Sequence, residues 1–311
     1  MTISLAIGSG KGGVGKSMLA ANLAILLAKA GRRVCITDLG LGGADMHILF
    51  GMLSPTRSLN DFFRRGVTNL EEIILDVPGF HNLRILPGAG GTLRTANMVL
   101  ADQRRLWQAL TAIDTDVLLF DVGAGVSRHT LDFFMMSELQ ICLTTPEPAA
   151  VMDFYTFLQL ATIHRATSAL PAQHPVSRAL RERDCTSLAE VFILAEAVER
   201  GAKATIEASL HFFHPLLVVN MVGTDTRVNL RKLKQLSNKY LGIYPSVLGE
   251  IPFDRAVRST LHSFIPVAAS APHSSAGLAL ASIADKTNKI IDLCLRKRHH
   301  AGRAANSPQP Q

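Results

Sequence analysis

Gly10-Lys11-Gly12-Gly13-Val14-Gly15-Lys16-Ser17 decides how this chain reads. The stretch satisfies G-x-x-x-x-G-K-[S/T] in full and sits between an apolar run, Ile3–Gly8, and an Ala/Leu-rich run, Met18–Ala30. A strand that turns through glycines into a helix is the setting such a motif needs. With few side chains in the way, successive backbone N–H groups turn inward onto phosphate oxygens, and the helix N-terminus adds its positive dipole end. Lys16 then reaches the β- and γ-phosphates of a nucleotide, and the Ser17 hydroxyl ligates Mg²⁺. Gly31 stands where a C-capping glycine would close the helix.

Outward from this loop, short aliphatic and β-branched runs alternate with longer helical patterns. Val34–Thr37, Leu83–Leu86, Val117–Phe120, Leu139–Thr144, Leu216–Met221 and Val247–Ile251 read as further strands. Several are apolar without alternation, as strands covered on both faces are. Strands separated by helices imply an α/β fold, with a mostly parallel sheet flanked by helices. Roughly 70 residues separate the strand ending near Thr145 from the one starting near Leu216, far more than an ordinary connection. This segment, 146–214, reads as a mainly helical insertion packed beside the sheet, most clearly over Ser187–His211, with Pro171 and Pro175 as breaks. Leu278–Leu295 reads as one closing helix. The expected organisation is a single domain over 1–295, followed by a disordered basic tail over 296–311 that holds Pro308 and Pro310.

Composition narrows the classes. A chain of 311 residues, 48% hydrophobic and 18% charged, can bury a full core and is not a disordered protein. Cys35, Cys142, Cys185 and Cys294 lie far apart with no CxxC pair, which argues against a disulfide scaffold or zinc ribbon and fits a reducing cytoplasm. No apolar run reaches the ~18 residues of a membrane span, and no basic stretch followed by an apolar leader opens the chain. A cytoplasmic protein is expected. His47, His129 and His164 share no metal spacing, and no G-x-S-x-G elbow occurs. Gly88-Ala89-Gly90-Gly91 lacks the Lys-Ser/Thr of a phosphate loop and reads as a flexible loop.

The additional lysine, Lys11, makes this loop resemble the deviant Walker A motif of the MinD/ParA ATPases. The resemblance covers 1–160 and about 210–270. It implies a P-loop NTPase fold that binds ATP and Mg²⁺ through Gly10, Lys11, Gly12, Gly13, Val14, Gly15, Lys16 and Ser17. It also implies an ATP-bound homodimer in which Lys11 crosses to the partner's nucleotide, neutralising transition-state charge as an arginine finger does. A protein partner that stimulates hydrolysis belongs to the same implication. Val117-Leu118-Leu119-Phe120-Asp121 resembles Walker B, with Asp121 holding Mg²⁺ through water, and Gly123 and Gly125 freeing a switch II loop to move. Asn220 falls where family members read the adenine edge; a strand-end residue capping backbone groups is the alternative. Ile251-Pro252-Phe253-Asp254 resembles the late loop that packs on adenine, with Pro252 in contact; a plain turn is the alternative.

Val34-Cys35-Ile36-Thr37-Asp38-Leu39-Gly40-Leu41-Gly42 and Leu49-Phe50-Gly51 look most like the flagellar-number branch of this family, FlhG/FleN. Those proteins usually carry D-x-D-x-G in this switch I segment. Counted without a gap from Lys16, the first Asp is Asp38 and the second position is Gly40. With a two-residue deletion, Asp38 becomes the second and the first is lost. Either way one carboxylate is missing, and the second one orients the attacking water, so slow hydrolysis is implied. Asp38 joins Lys11 and Lys16 as the implied catalytic set, and Ser17, Asp38 and Asp121 as the metal set. Asp45 replaces an Asn often found nearby. The N-terminal extension by which that branch activates a partner GTPase is not implied, since the first strand begins almost at Met1. The CxxC of iron–sulfur scaffold relatives and the tail Tyr cluster of tyrosine-kinase relatives do not occur.

A formal charge of +7 and pI ≈ 9.5 point to an acidic partner. The basic excess sits in two places. Thr226–Lys239 holds Arg227, Arg231, Lys232, Lys234 and Lys239 and no acid; from Arg296 onward come Lys297, Arg298 and Arg303. Without them the rest of the chain is slightly acidic. The first segment reads as a solvated helix face or a contact for DNA or an acidic partner. The second, 289–303, reads as a helix packed on the body or as an amphipathic membrane contact built on Ile283, Ile290 and Leu293 or Cys294. The resulting expectation is an ATP-dependent dimerising switch that positions or counts a cellular structure. A DNA-associated partition or regulatory module with ATP as a structural ligand, and a membrane-bound pseudo-ATPase scaffold, stand as alternatives.

Overall fold

The computed structural model describes residues 2–40, 45–90 and 98–305. Leu41 and Gly42 of the switch I segment, Gly91 and the tail from 306 lie outside the described residues. The strands are β1 (Ile3–Ser9), β2 (Val34–Leu39), β3 (Leu75–Asp76), β4 (Leu83–Leu86), β5 (Val117–Ala124), β6 (Leu139–Thr144), β7 (Leu216–Val222) and β8 (Ser246–Pro252). They form an eight-stranded sheet in the order β3-β4-β2-β5-β1-β6-β7-β8. β2 pairs in parallel with β4, as does β6 with β7 and β7 with β8. The buried runs of β1, β2 and β6 contain no exposed position, as expected where helices cover both faces. β3 is too short to show any alternation in sequence. It pairs antiparallel with β4, Leu75 opposite Ile85 and Asp76 opposite Arg84.

The chain divides into two compact units. The first comprises 1–5, 17–121 and 254–311. Its helix α1 (Lys16–Lys29) begins one residue before the unit and carries a nearly unbroken series of buried Leu, Ala and Ile. Gly31 closes it at φ +89°, and the N–H groups of Gly31 and Arg32 return to the carbonyls of Ala28 and Leu27. Helices α2 (Leu59–Phe63) and α3 (Leu100–Thr111) follow in the same unit. The unit also holds the helices called here α10 (Arg255–His262), α11 (Val267–Ser270) and α12 (Ser275–Ala305). α12 runs well past the expected end at Leu295. Ala276, Leu280, Ile283, Thr287 and Ile291 form one buried stripe at helical spacing. Arg32 pairs with Asp292 and donates to Asn288, and Arg298 donates to the Thr2 carbonyl at 3.1 Å. The last of these ties holds in helical form a residue, Arg298, that composition alone marks as tail.

The second unit comprises 6–16 and 122–253. It contains α4 (Arg128–Met136), α5 (Pro148–Thr167), α6 (Pro175–Glu182), α7 (Leu188–Val198), α8 (Ala202–Leu210) and α9 (Leu230–Leu241). The long connection thus resolves into α5 and three shorter helices. Gly201, at φ +90°, divides the single helical stretch expected over 187–211 into α7 and α8. Ile163 of α5 shares a buried cluster with Val176, Leu180, Val191, Ala195 and Ile206, so the insertion carries its own core.

Candidate functional site

The loop Gly10–Ser17 leaves the C-terminal end of β1 and becomes the first turn of α1 at Lys16. Local geometry demands glycine at Gly10 and Gly13. A Cβ on Gly10 would lie 1.9 Å from the Asp153 carbonyl oxygen, so α5 packs directly on the backbone there. Gly13, at φ +78°, has nothing within 4 Å of such a Cβ, and its glycine is set by the backbone conformation. Val14 is buried and pins the loop from beneath.

Two side-chain pairs organise the polar groups. In the second unit, Lys16, 9% exposed, donates from Nζ to Ser9 Oγ at 3.1 Å. In the first, the Ser17 hydroxyl donates to Asp121 Oδ2 at 2.5 Å, with Asp121 at the C-terminal part of β5 and 5% exposed. A hydroxyl and a carboxylate at this distance are a hard-oxygen pair suited to Mg²⁺, which takes one or two protein oxygens together with phosphate and water. Among the described residues no group of three or more His, Cys, Asp or Glu could hold a metal by itself. The Ser17–Asp121 oxygen pair therefore fits a Mg²⁺ whose remaining ligands come from outside the protein. Lys11 stands exposed, and its carbonyl accepts the Ser9 hydroxyl.

Asp38 is placed differently. Its Oδ1 accepts the Gly40 N–H at 2.9 Å and its Oδ2 the Met46 N–H at 3.0 Å, so the carboxylate bridges the backbone at Gly40 and Met46. Burial, with Asp121 nearby, pushes its pKa up to about 7. Asp45 precedes the short helix Met46–Phe50 without a side-chain capping bond.

Asn220, 2% exposed, donates from Nδ2 to the Val14 carbonyl at 2.8 Å and props the loop from β7. The next residue, Met221, sits at φ +57° where the β7–β8 register shifts, a bulge of the kind that re-aims side chains near functional sites. Pro252 ends β8 opposite Val222, and Phe253 is left 66% exposed. Asp254 makes a capping turn, accepting the N–H groups of Ala276 and Ala256 and the Ser275 hydroxyl, which hold its pKa near 2. Gly125, at φ +87°, donates its N–H to the Ser9 carbonyl, fixing the start of the loop after β5 in the second unit. Sequence reasoning missed Ser9; its one signal is a hydroxyl closing a mostly apolar strand. Cys35 and Cys142 are buried free thiols, as their strand positions suggest, and burial pushes Cys35 up to about 12.

The chain is similar to known proteins. The antiactivator FleN of Pseudomonas aeruginosa is 27% identical over 286 residues, 91% of this chain and 85% of its own. The flagellum site-determining protein YlxH of Helicobacter pylori is 33% identical over 159 residues, about half of each chain (50% and 52%). The septum site-determining protein MinD of Pyrococcus horikoshii, solved complexed with Mg-ADP, has the same fold. Its TM-score is 0.66 at 22% identity, covering 93% of this chain and 97% of that one. The CobQ/CobB/MinD/ParA nucleotide binding domain model matches residues 5–267, and the chain belongs to that family.

Proposed function

We propose that this protein is an ATP-dependent switch that positions or counts a cellular structure, binding Mg·ATP, dimerising face to face over two nucleotides and hydrolysing slowly. One observation carries the reading: the two lysines of one loop are in opposite states. Lys16 is buried and anchored, ready for the phosphates of its own nucleotide, whereas Lys11 is exposed and available to a second copy. Ser17 and Asp121 would hold Mg²⁺, and the ion would neutralise charge on the terminal phosphates. Slow turnover follows from Gly40 in the water-positioning place, since Asp38 spends both oxygens on backbone N–H groups. Similarity to an antiactivator and a flagellum site-determining protein supports flagellar number or placement as the process.

The partner surface divides two ways. Arg227, Arg231, Lys232 and Lys239 are exposed on and just before α9, which supports contact with DNA or an acidic protein. Ile283 and Ile291 are buried in the packed stripe of α12, so a membrane contact through 289–303 would require that helix to undock. Binding to duplex DNA only with ATP, lost steeply with salt, would favour the partition reading. Co-sedimentation with anionic vesicles would favour the membrane one.

The test is mass by sedimentation equilibrium with Mg·ATP. Wild type doubles its mass, Lys16→Ala binds no ATP, and Lys11→Ala binds ATP but stays monomeric and inactive. Normal dimerisation and turnover in Lys11→Ala would overturn the proposal.

A further inference from the structure

Ser9 is fully buried at the end of β1, and three hydrogen bonds meet on it. Its Oγ accepts from Lys16 Nζ at 3.1 Å and donates to the Lys11 carbonyl at 2.7 Å. Its carbonyl accepts the Gly125 N–H at 3.0 Å. One residue thus ties the entry of the phosphate loop, the ammonium at its exit and the glycine after β5.

The chemistry of these bonds has a direction. A hydroxyl has one proton and two lone pairs. The Ser9 proton is committed to the Lys11 carbonyl, so a lone pair is left facing Nζ. An ammonium carries three N–H donors, and a buried one needs an acceptor. A neutral acceptor orients the lysine without cancelling the charge that attracts phosphate. A carboxylate in this place would compete with the ligand; an apolar side chain would remove this acceptor and loosen the aim of the four-carbon stem.

We propose that Ser9 is a positioning residue that aims Lys16 Nζ at the terminal phosphates of a nucleoside di- or triphosphate. The proposal rests on the nucleotide-site reading above. Ser9 touches no phosphate itself and acts through the lysine, so its removal harms ligands in proportion to the phosphates that Lys16 reaches.

The experiment is calorimetric titration of the full chain with the Mg²⁺ complexes of ATP and ADP, and with AMP. Ser9→Ala and Ser9→Gly remove the hydroxyl, and Ser9→Thr keeps it. Losing a hydrogen bond to a charged group predicts about tenfold weaker ATP and ADP binding. AMP binding is unchanged, and Ser9→Thr recovers wild-type affinity. Equal weakening of all three ligands would mean general damage to the loop and would overturn the proposal, as would wild-type ATP affinity in a folded Ser9→Ala protein. The Ser9→Thr arm decides even where AMP binds too weakly to titrate: recovery supports positioning, and its absence overturns it. A wild-type chain that binds no ATP would instead fail the nucleotide-site reading.

Discussion

Replacing Gly10 with Ala probes the closest backbone approach in the phosphate loop. The new Cβ would lie 1.9 Å from the Asp153 oxygen and 2.4 Å from its carbonyl carbon. Both are backbone atoms of α5 and cannot rotate away. Reaching even 3.0 Å requires the loop and helix to separate by about 1 Å. Overpacking of this kind costs about 3 kcal/mol, or a fall of roughly 6 °C in Tm for a chain of this size. Gly13→Ala is the internal control. Nothing stands near its Cβ, and it carries only the left-handed backbone penalty of about 1 kcal/mol. The displaced loop also loses phosphate contacts. Two N–H···O bonds stretched from ~2.9 Å past ~3.5 Å are lost, roughly a hundredfold in ATP affinity. Thermal unfolding without nucleotide, paired with ATP titration, measures both effects. Equal unfolding of the Gly10 and Gly13 variants, with wild-type ATP affinity in Gly10→Ala, would refute the packing argument.

Asn220→Ala removes the prop beneath the loop and leaves the Val14 carbonyl without that donor, so denaturant unfolding of the nucleotide-free protein should show a loss of about 1–3 kcal/mol. Asp254 titrates near 2 in the folded chain, below the ordinary carboxylate value. Its stabilisation is present above pH ~4 and is lost as pH falls towards 2, so Asp254→Asn should flatten that part of the stability–pH curve. Ile291→Ala, in the buried stripe of α12, should lower stability by about 2–4 kcal/mol; a neutral result would mean that this end of the helix is undocked in solution.

Much of the fold was legible because its signals are local. The apolar runs of β1, β2, β4, β5, β6, β7 and β8 each lie close to where the structure places a strand, and Gly31 marks the end of α1. β3 was not legible, since a two-residue antiparallel edge exists only through its partner β4. The extension of α12 past Leu295 is tied through Arg298 to Thr2, distant in sequence, so composition alone marked it as tail. In the site, the phosphate-loop motif singles out Lys16 and Ser17, the resemblance to Walker B singles out Asp121, and the structure brings the Ser17 hydroxyl onto Asp121. Ser9 escaped because a single serine has no periodicity, and its role appears only when Lys11, Lys16 and Gly125 are brought around it. The bond from Asn220 to Val14 and the turn made by Asp254 match the structural alternatives weighed for those residues; adenine contact by Asn220 or Pro252 stays a proposal.

The central claim is the proposed one, that Ser17 and Asp121 hold the Mg²⁺ of a bound ATP. Titrating the full chain with ATP, with and without Mg²⁺, tests this most directly. The account predicts one ATP per chain, bound more tightly with Mg²⁺, and a Mg²⁺ dependence that disappears in Asp121→Asn while ATP binding itself persists. No ATP binding in the wild type, or an unchanged Mg²⁺ dependence in Asp121→Asn, would contradict it.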